Sequence, residues 1–339
     1  TVMDYERYEL GTVSLLSGEK LDSAFLAYKT YGKLNSNRNN VVVLPTFYTG
    51  THQRNEGFFG SGRAIDPDKH FVVSINMFGN GVSSSPSNTP VPQDGPRFPD
   101  IALWDNIACQ HKLLTDHLGV NRIALVTGWS MAGCQAYQWA AQYPDFVDAI
   151  LPFCASAKTS PHNYVFLEGV KAALCADQNW NKGDYVSPPV DGLKAFARVY
   201  AGWAFSQTFY RDSLFKKIGY KTIEDLFIDW ENDHVDNWDA NNLLAKLSTW
   251  QKSDISVGPL YNGNFEMALK AIKAKTILMP CTQDLYFPPE DNVIEASHII
   301  HSEIRPFDSP FGHCAANPGN DSGFEAALER AIGDLLEVQ

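Results

Sequence analysis

The stretch LVTGWSMAGCQAYQWA, residues 125–140, decides how the rest of the chain is read. It starts as an apolar run, turns through Gly128-Trp129-Ser130-Met131-Ala132-Gly133, and passes at once into a helical pattern. A serine on a sharp strand-to-helix turn is the context that the G-x-S-x-G nucleophile elbow requires. Small neighbours are needed there, because the serine holds a strained backbone angle against residues packed two positions away. Ala132 stands where that pattern has its second glycine, and Gly133 follows and keeps the turn small. Ser130 would then present its hydroxyl at a helix N-terminus, where free N–H groups and the helix dipole favour developing negative charge. A serine N-cap on a buried helix would give the same pentapeptide, so the reading depends on partners found elsewhere.

Outward from the elbow, short continuous apolar runs recur at 39–47, 69–81, 122–130, 148–156, 275–284 and 302–309. Such runs are buried on both faces, the mark of a parallel sheet. Helical patterns at 102–118, 131–143, 289–300 and 324–338 alternate with them, and residues 8–30 read as antiparallel strands. The alternation predicts an α/β fold with a mostly parallel, doubly wound sheet. Residues 157–255 break the rhythm, with helical patterns and no convincing buried strand. They read as a helical cap inserted between two core strands, over the sheet edge where open α/β sheets bind ligands. The expected division is a core of 1–156 and 256–339 with a cap of 157–255. Five of the eight tryptophans (180, 203, 230, 238 and 250) fall in that cap.

A serine is a weak nucleophile until a base activates it, and the base needs an orienting acid. In a fold of this kind the chain order is Ser, then Asp or Glu, then His. Asp284 follows a core strand in MPCTQDLYFPPED, and His313 follows the last strand in FDSPFGHCA. The spacing of 154 residues from Ser130 to Asp284 leaves room for the cap, and the 29 from Asp284 to His313 fit one helix and one strand. Asp291, one turn into a helix, and Asp308, too close to His313, are weaker acids for the role. Oxyanion donors are expected from the Met131 N–H and from LPTFYTGTHQ, where Phe47 or Tyr48 would donate.

Lys+Arg 27 against Asp+Glu 39 gives a net charge of −12, which argues against nucleic acid and anionic membranes as partners. No apolar run approaches ~18 residues, and TVMDYERYELG has no apolar signal-peptide core. The six cysteines form no C-x-x-C pair and suit a reducing, cytoplasmic setting. No phosphate-binding loop, dinucleotide fingerprint or H-E-x-x-H occurs, so neither a metal nor a cofactor is expected. Aromatics make up 12% of the chain, and Trp129 beside the nucleophile predicts an apolar pocket for a bulky, weakly polar ester.

These residues resemble the homoserine O-acetyltransferase family of α/β-hydrolases over most of the chain. LSGEKLDSAFLAYKTYGKLN, GFFGSGRAIDPDKHFVVSINMFGNGVSSSPS, TGWSMAGCQAYQWAAQYPDFVDAILPFCASAKTSPHN, WDANNLL, DLYFPPED and SPFGHCA carry the likeness. It implies the α/β-hydrolase fold, with the nucleophile at Ser130, the acid at Asp284 and the base at His313. It also implies a substrate-carboxylate contact at Arg198, with Phe205 replacing a family tyrosine, and a homodimer formed through the cap. The elbow departs from the family's G-G-S-M-G-G at Trp129 and Ala132, and Thr46-Phe47-Tyr48-Thr49-Gly50 departs from its H-A-L-T-G. These departures favour ester hydrolysis of a small-molecule acyl substrate over acyl transfer. In the alternative, acetyl-CoA would serve as co-substrate for an O-acyltransferase. Tyr48 and Met131 are the expected oxyanion donors, and Arg198, Phe47 and Trp129 the expected substrate contacts. A catalytically silent binding protein on the same fold is the competing class, and labelling of Ser130 separates the two.

Overall fold

The computed structural model describes residues 3–337. Its strands are β1 (Glu6–Ser14), β2 (Lys20–Tyr31), β3 (Val41–Pro45), β4 (Phe71–Ile75), β5 (Ile123–Trp129), β6 (Ala149–Phe153), β7 (Lys275–Leu278) and β8 (Ser302–Ile304). They form one sheet in the order β1-β2-β4-β3-β5-β6-β7-β8. β2 pairs antiparallel with β1 and β4, and every later pairing is parallel. β3, β4, β5 and β6 are buried along their whole length, as their unbroken apolar sequences require. This is the mostly parallel α/β architecture expected from the alternation of strands and helices, and it fits the α/β-hydrolase fold that the family resemblance implies.

The helices are α1 (Leu103–Lys112), α2 (Met131–Gln142), α3 (Pro161–Cys175), α4 (Val190–Ala204), α5 (Gln207–Arg211), α6 (Ile223–Asn237), α7 (Ala240–Gln251), α8 (Phe265–Ala271), α9 (Pro289–Ala296) and α10 (Ser322–Glu337). α2 is buried on every side. Its small residues, Ala132, Gly133, Cys134, Ala136, Ala140 and Ala141, let it lie close against the sheet. The predicted single helix at 102–118 ends its α turns at Lys112 and closes with a wider π-type turn, Leu113–His117. The strands predicted at 275–284 and 302–309 are shorter than their apolar runs. Pro280 and Pro306 interrupt them, and isolated pairings of Met279 with Phe153 and of Cys281 with Phe307 continue the sheet. Residue 338, the end of the last predicted helix, lies outside the described residues.

Between β6 and β7 the described chain forms helices α3 to α8 and no strand. Side chains of α7 fasten this helical segment to the loops of the sheet. Asn242 Nδ2 donates to Ser87 Oγ at 2.8 Å and its Oδ1 accepts from the Ser87 N–H at 3.0 Å, while Thr249 Oγ1 donates to the Ile101 carbonyl at 2.6 Å. No described helix is long and apolar enough to cross a membrane.

Candidate active site

Four loops meet at the carboxyl ends of the parallel strands: those after β3, β5, β7 and β8. Residues far apart in sequence thus share one edge of the sheet, the place where open α/β sheets bind ligands.

Ser130 sits between β5 and α2 with φ 60° and ψ −125°. A non-glycine residue in that region carries roughly 1–3 kcal/mol of strain, and the surrounding structure must hold it there. The Ser130 N–H donates to the Phe153 carbonyl at 3.1 Å, and its carbonyl accepts from the Cys134 N–H at 3.0 Å. The glycines are sterically required. A Cβ on Gly128 would lie 2.4 Å from the Ala132 Cβ, and one on Gly133 would lie 2.5 Å from the Ala155 Cβ. Alanine is therefore accommodated at 132 because Gly128 has no side chain.

His313 lies in the short turn Gly312–Ala316 and is 4% exposed. Its Nδ1 is 2.8 Å from Asp284 Oδ2, so the Nδ1 proton is donated to that carboxylate and Nε2 is left with its lone pair. The other oxygen of Asp284 accepts from the N–H groups of Tyr286 and Phe287, at 2.8 and 3.2 Å. The imidazole is packed among Tyr286, Trp129 and Phe287, with ring centroids 4.7, 5.3 and 5.7 Å away. Trp129 Nε1 donates to the His313 carbonyl at 3.1 Å, so the elbow tryptophan also fixes the base loop. The weaker acids are occupied elsewhere: Asp291 accepts from Ser156, and Asp308 from Thr282 and Gln283. Cys154 adjoins the pair, with Cys154 Sγ and ligand atoms of Asp284 and His313 mutually within 4.8 Å. Burial pushes this thiol well above its usual range, so it remains neutral.

Ser130 and His313 open into one cavity of about 480 Å³. Phe47, Tyr48, Trp129, Tyr200, Phe205 and Trp230 supply its aromatic lining. Arg54, Asp229, Asp233, His234, Asn317 and Asn320 supply a polar one. The pocket is therefore less uniformly apolar than the aromatic content predicts. Of the five tryptophans in the helical segment, Trp230 alone lines the cavity. Trp250 is fully buried, and Trp203 packs on His162 and Phe166. The N–H groups of Phe47, Tyr48 and Met131 have no acceptor among the described residues.

The structure thus brings together Ser130, Asp284, His313, Met131, Tyr48, Phe47 and Trp129. It does not bring Arg198 to them. The Arg198 guanidinium binds Glu224 at 2.7 Å and Glu231 at 3.1 Å, lies over the Phe227 ring, and is not among the residues lining the cavity. It sits on the α4–α6 face, where two acids already neutralise it. The cation that does face the cavity is Arg54, which the sequence analysis missed. Its Nη1 donates to the Thr49 carbonyl at 3.2 Å and its Nη2 to Asn317 Oδ1 at 2.7 Å, and it lies 4.7 Å over the Phe47 ring. Its place six residues after Tyr48, in the same loop, was the available signal. Lys246 was also missed: it is fully buried beneath the Phe47–Tyr48 loop.

This architecture, with an acid–base pair and a strained serine at the sheet edge, defines an α/β hydrolase, and the chain belongs to the α/β hydrolase fold family, whose model matches residues 39–315. It is 34% identical over 336 residues to an ethyl acetate hydrolase of Pseudomonas veronii, covering 98% of this chain and 95% of the relative. It is 31% identical over 346 residues to a homoserine O-acetyltransferase of Haemophilus influenzae, covering 93% and 94%. Among solved structures, an acetylester hydrolase from Corynebacterium glutamicum superposes with a TM-score of 0.94 at 31% identity, over 98% of this chain and 96% of the other. The resemblance to homoserine O-acetyltransferases is borne out, and ester hydrolases stand beside them among its relatives.

Proposed function

We propose that the protein hydrolyses short-chain carboxylic esters through an acyl-serine intermediate. The observation that carries this reading is the meeting, in one cavity, of a serine on strained backbone with an imidazole held in one tautomer by a buried carboxylate. Ser130 Oγ attacks the ester carbonyl while its proton passes to His313 Nε2. The oxyanion accepts hydrogen bonds from the free N–H groups of Met131 and Tyr48. The intermediate collapses, the C–O bond breaks, and His313 returns the proton to the departing alcohol. Water then attacks the acyl-serine, giving its proton to His313; the bond from Ser130 Oγ to the acyl carbon breaks, His313 returns the proton to Ser130 Oγ, and the carboxylic acid leaves.

A cavity of about 480 Å³ is within the usual range for small-molecule sites and suits a small ester. The helical segment 157–255 acts as its cap, since Tyr200, Phe205 and Trp230 close it on that side. Hydrolysis is favoured over acyl transfer because the chain departs from the transferase pattern at Trp129 and Ala132, and because an ethyl acetate hydrolase matches nearly its whole length. The similarity to homoserine O-acetyltransferases keeps transfer from acetyl-CoA as the second reading.

One experiment separates these. The protein is assayed with p-nitrophenyl esters of increasing chain length and, separately, with acetyl-CoA plus homoserine and other alcohols. Ester turnover highest for the shortest acyl groups is expected, and Ser130→Ala should lower it by several orders of magnitude. Acetyl transfer outpacing hydrolysis would replace the hydrolase reading. Absence of any organophosphonate adduct on Ser130 in the folded protein would remove the acyl-serine mechanism altogether.

A further inference from the structure

We infer that Lys246 is a positioning residue that aims the Tyr48 N–H at the oxyanion by holding the back of the Phe47–Tyr48 loop, an inference that rests on the hydrolase reading above.

Lys246 lies on α7 and is fully buried. Its Nζ donates to the Phe47 carbonyl at 2.8 Å and to the Tyr48 carbonyl. It also lies 5.6 Å over the Tyr48 ring and 5.5 Å over the Trp238 ring. Gly79 leaves its stem a channel: a Cβ there would be 3.0 Å from Lys246 Cγ. No carboxylate offsets the amine among the described residues. Burying an amine that has only carbonyl partners is costly, and an apolar side chain at this helix position would avoid the cost. The return for it lies in the loop.

Four consecutive carbonyls of that loop are held by side chains. Gln135 Nε2 donates to Thr46 at 2.9 Å, Lys246 holds Phe47 and Tyr48, and Arg54 Nη1 donates to Thr49 at 3.2 Å. The Phe47 and Tyr48 N–H groups, by contrast, have no acceptor among the described residues. In a trans peptide the C=O and the following N–H point in opposite directions across one plane. Drawing the Phe47 carbonyl towards α7 therefore turns the Tyr48 N–H away from α7, towards the cavity that Phe47 and Tyr48 line. Preorganised donors of this kind stabilise the transition state because they need no reorientation during reaction. Lys246 touches no reacting atom and acts through the peptide plane.

The test uses the full chain and its Lys246→Met variant, which keeps the stem and removes the donor. Melting temperature, kcat and KM are measured with p-nitrophenyl acetate and with its thiono analogue, whose longer C–S bond and weaker acceptor fit fixed oxyanion donors poorly. The expected result is a fall in kcat of about 10- to 100-fold, smaller than deletion of a donor itself, with KM within about twofold. The preference for ester over thionoester should fall along with kcat. A folded variant with kcat within about twofold of wild type would overturn the inference. So would a loss of kcat with the preference unchanged, which would mark Lys246 as a staple between helix and loop and nothing more.

If Lys246→Met does not fold, the wild-type phosphonate adduct decides. The phosphonyl oxygen is expected within hydrogen-bond distance of the Tyr48 and Met131 N–H groups, with Lys246 still on the Phe47 carbonyl. An adduct on Ser130 whose oxygen avoids Tyr48, or whose formation releases Lys246 from Phe47, overturns this inference and leaves the hydrolase reading intact. No adduct on Ser130 would overturn both.

Discussion

Replacing Asp284 by asparagine should nearly abolish turnover while leaving the fold in place, and the hydrogen bonds around this side chain show why. One carboxylate oxygen takes two backbone N–H groups, from Tyr286 at 2.8 Å and Phe287 at 3.2 Å, and the other takes the His313 Nδ1 proton at 2.8 Å. An asparagine amide can enter this site in two ways. With its NH₂ towards the backbone, two buried donors lose their acceptor, at roughly 1–3 kcal/mol each. With its oxygen kept on the backbone, the NH₂ faces His313, and the imidazole satisfies it by turning a bare Nδ1 towards it. The second arrangement wins by the greater part of about 2–6 kcal/mol, because only a neutral tautomer has to change. That change moves the imidazole proton to Nε2, which then cannot accept the proton of Ser130. The expected loss in kcat is roughly 10³–10⁴-fold, equivalent to about 4–5.5 kcal/mol of activation free energy. KM should change little, since Asp284 lies behind His313 and does not line the cavity. Steady-state hydrolysis of p-nitrophenyl acetate near neutral pH, with a melting curve as the control for folding, measures both quantities. A loss in kcat under about tenfold, or one expressed mainly in KM, would refute the assignment of the tautomer to Asp284.

Two further outcomes follow from the same structure. Arg198→Ala should leave kcat/KM for short esters within about twofold of wild type, because this exposed side chain serves Glu224 and Glu231 and not the cavity; exposed pairs of this kind contribute little. A marked rise in KM would return Arg198 to the substrate site. Glu295, buried against Tyr137, Asn292 and the Ala157 N–H, has its carboxyl pushed up to about 8 by burial, against 4.5 for a free glutamate. Between those values the folded state holds one proton more than the unfolded chain, so this group's contribution to stability falls as pH rises, by about 5 kcal/mol across the interval. Glu295→Gln cannot ionise, so its unfolding free energy should depend less steeply on pH between about 5 and about 8. Parallel profiles by urea denaturation would contradict the raised carboxyl.

Most of the candidate site could be read from the chain itself. Continuous apolar runs at 39–47, 69–81, 122–130 and 148–156 marked the buried strands that the fold places at 41–45, 71–75, 123–129 and 149–153, because a strand covered on both faces can contain little but apolar residues. The glycines flanking Ser130 were legible because a strained turn excludes side chains by contact at short range. Asp284 and His313 were legible from chain order, since each must follow a strand whose carboxyl end reaches the same edge. Strand ends were less legible, since prolines such as Pro280 and Pro306 shorten the ladder where hydrophobicity alone would extend it.

What only the tertiary structure decided is the surroundings of those side chains. Lys246 and Arg198 both stand on amphipathic helices, where a long basic side chain usually points to water. Which of them is buried depends on how α7 and α4 lie against distant parts of the chain: the loop near residue 47 for one, and two glutamates of α6 for the other. Local sequence sets which groups a residue carries and which face of its helix it occupies. Partners roughly 200 residues away, such as the Phe47 carbonyl bound by Lys246, are set by packing of the whole sheet and helices, and that packing turns a lysine into a support for the Phe47–Tyr48 loop.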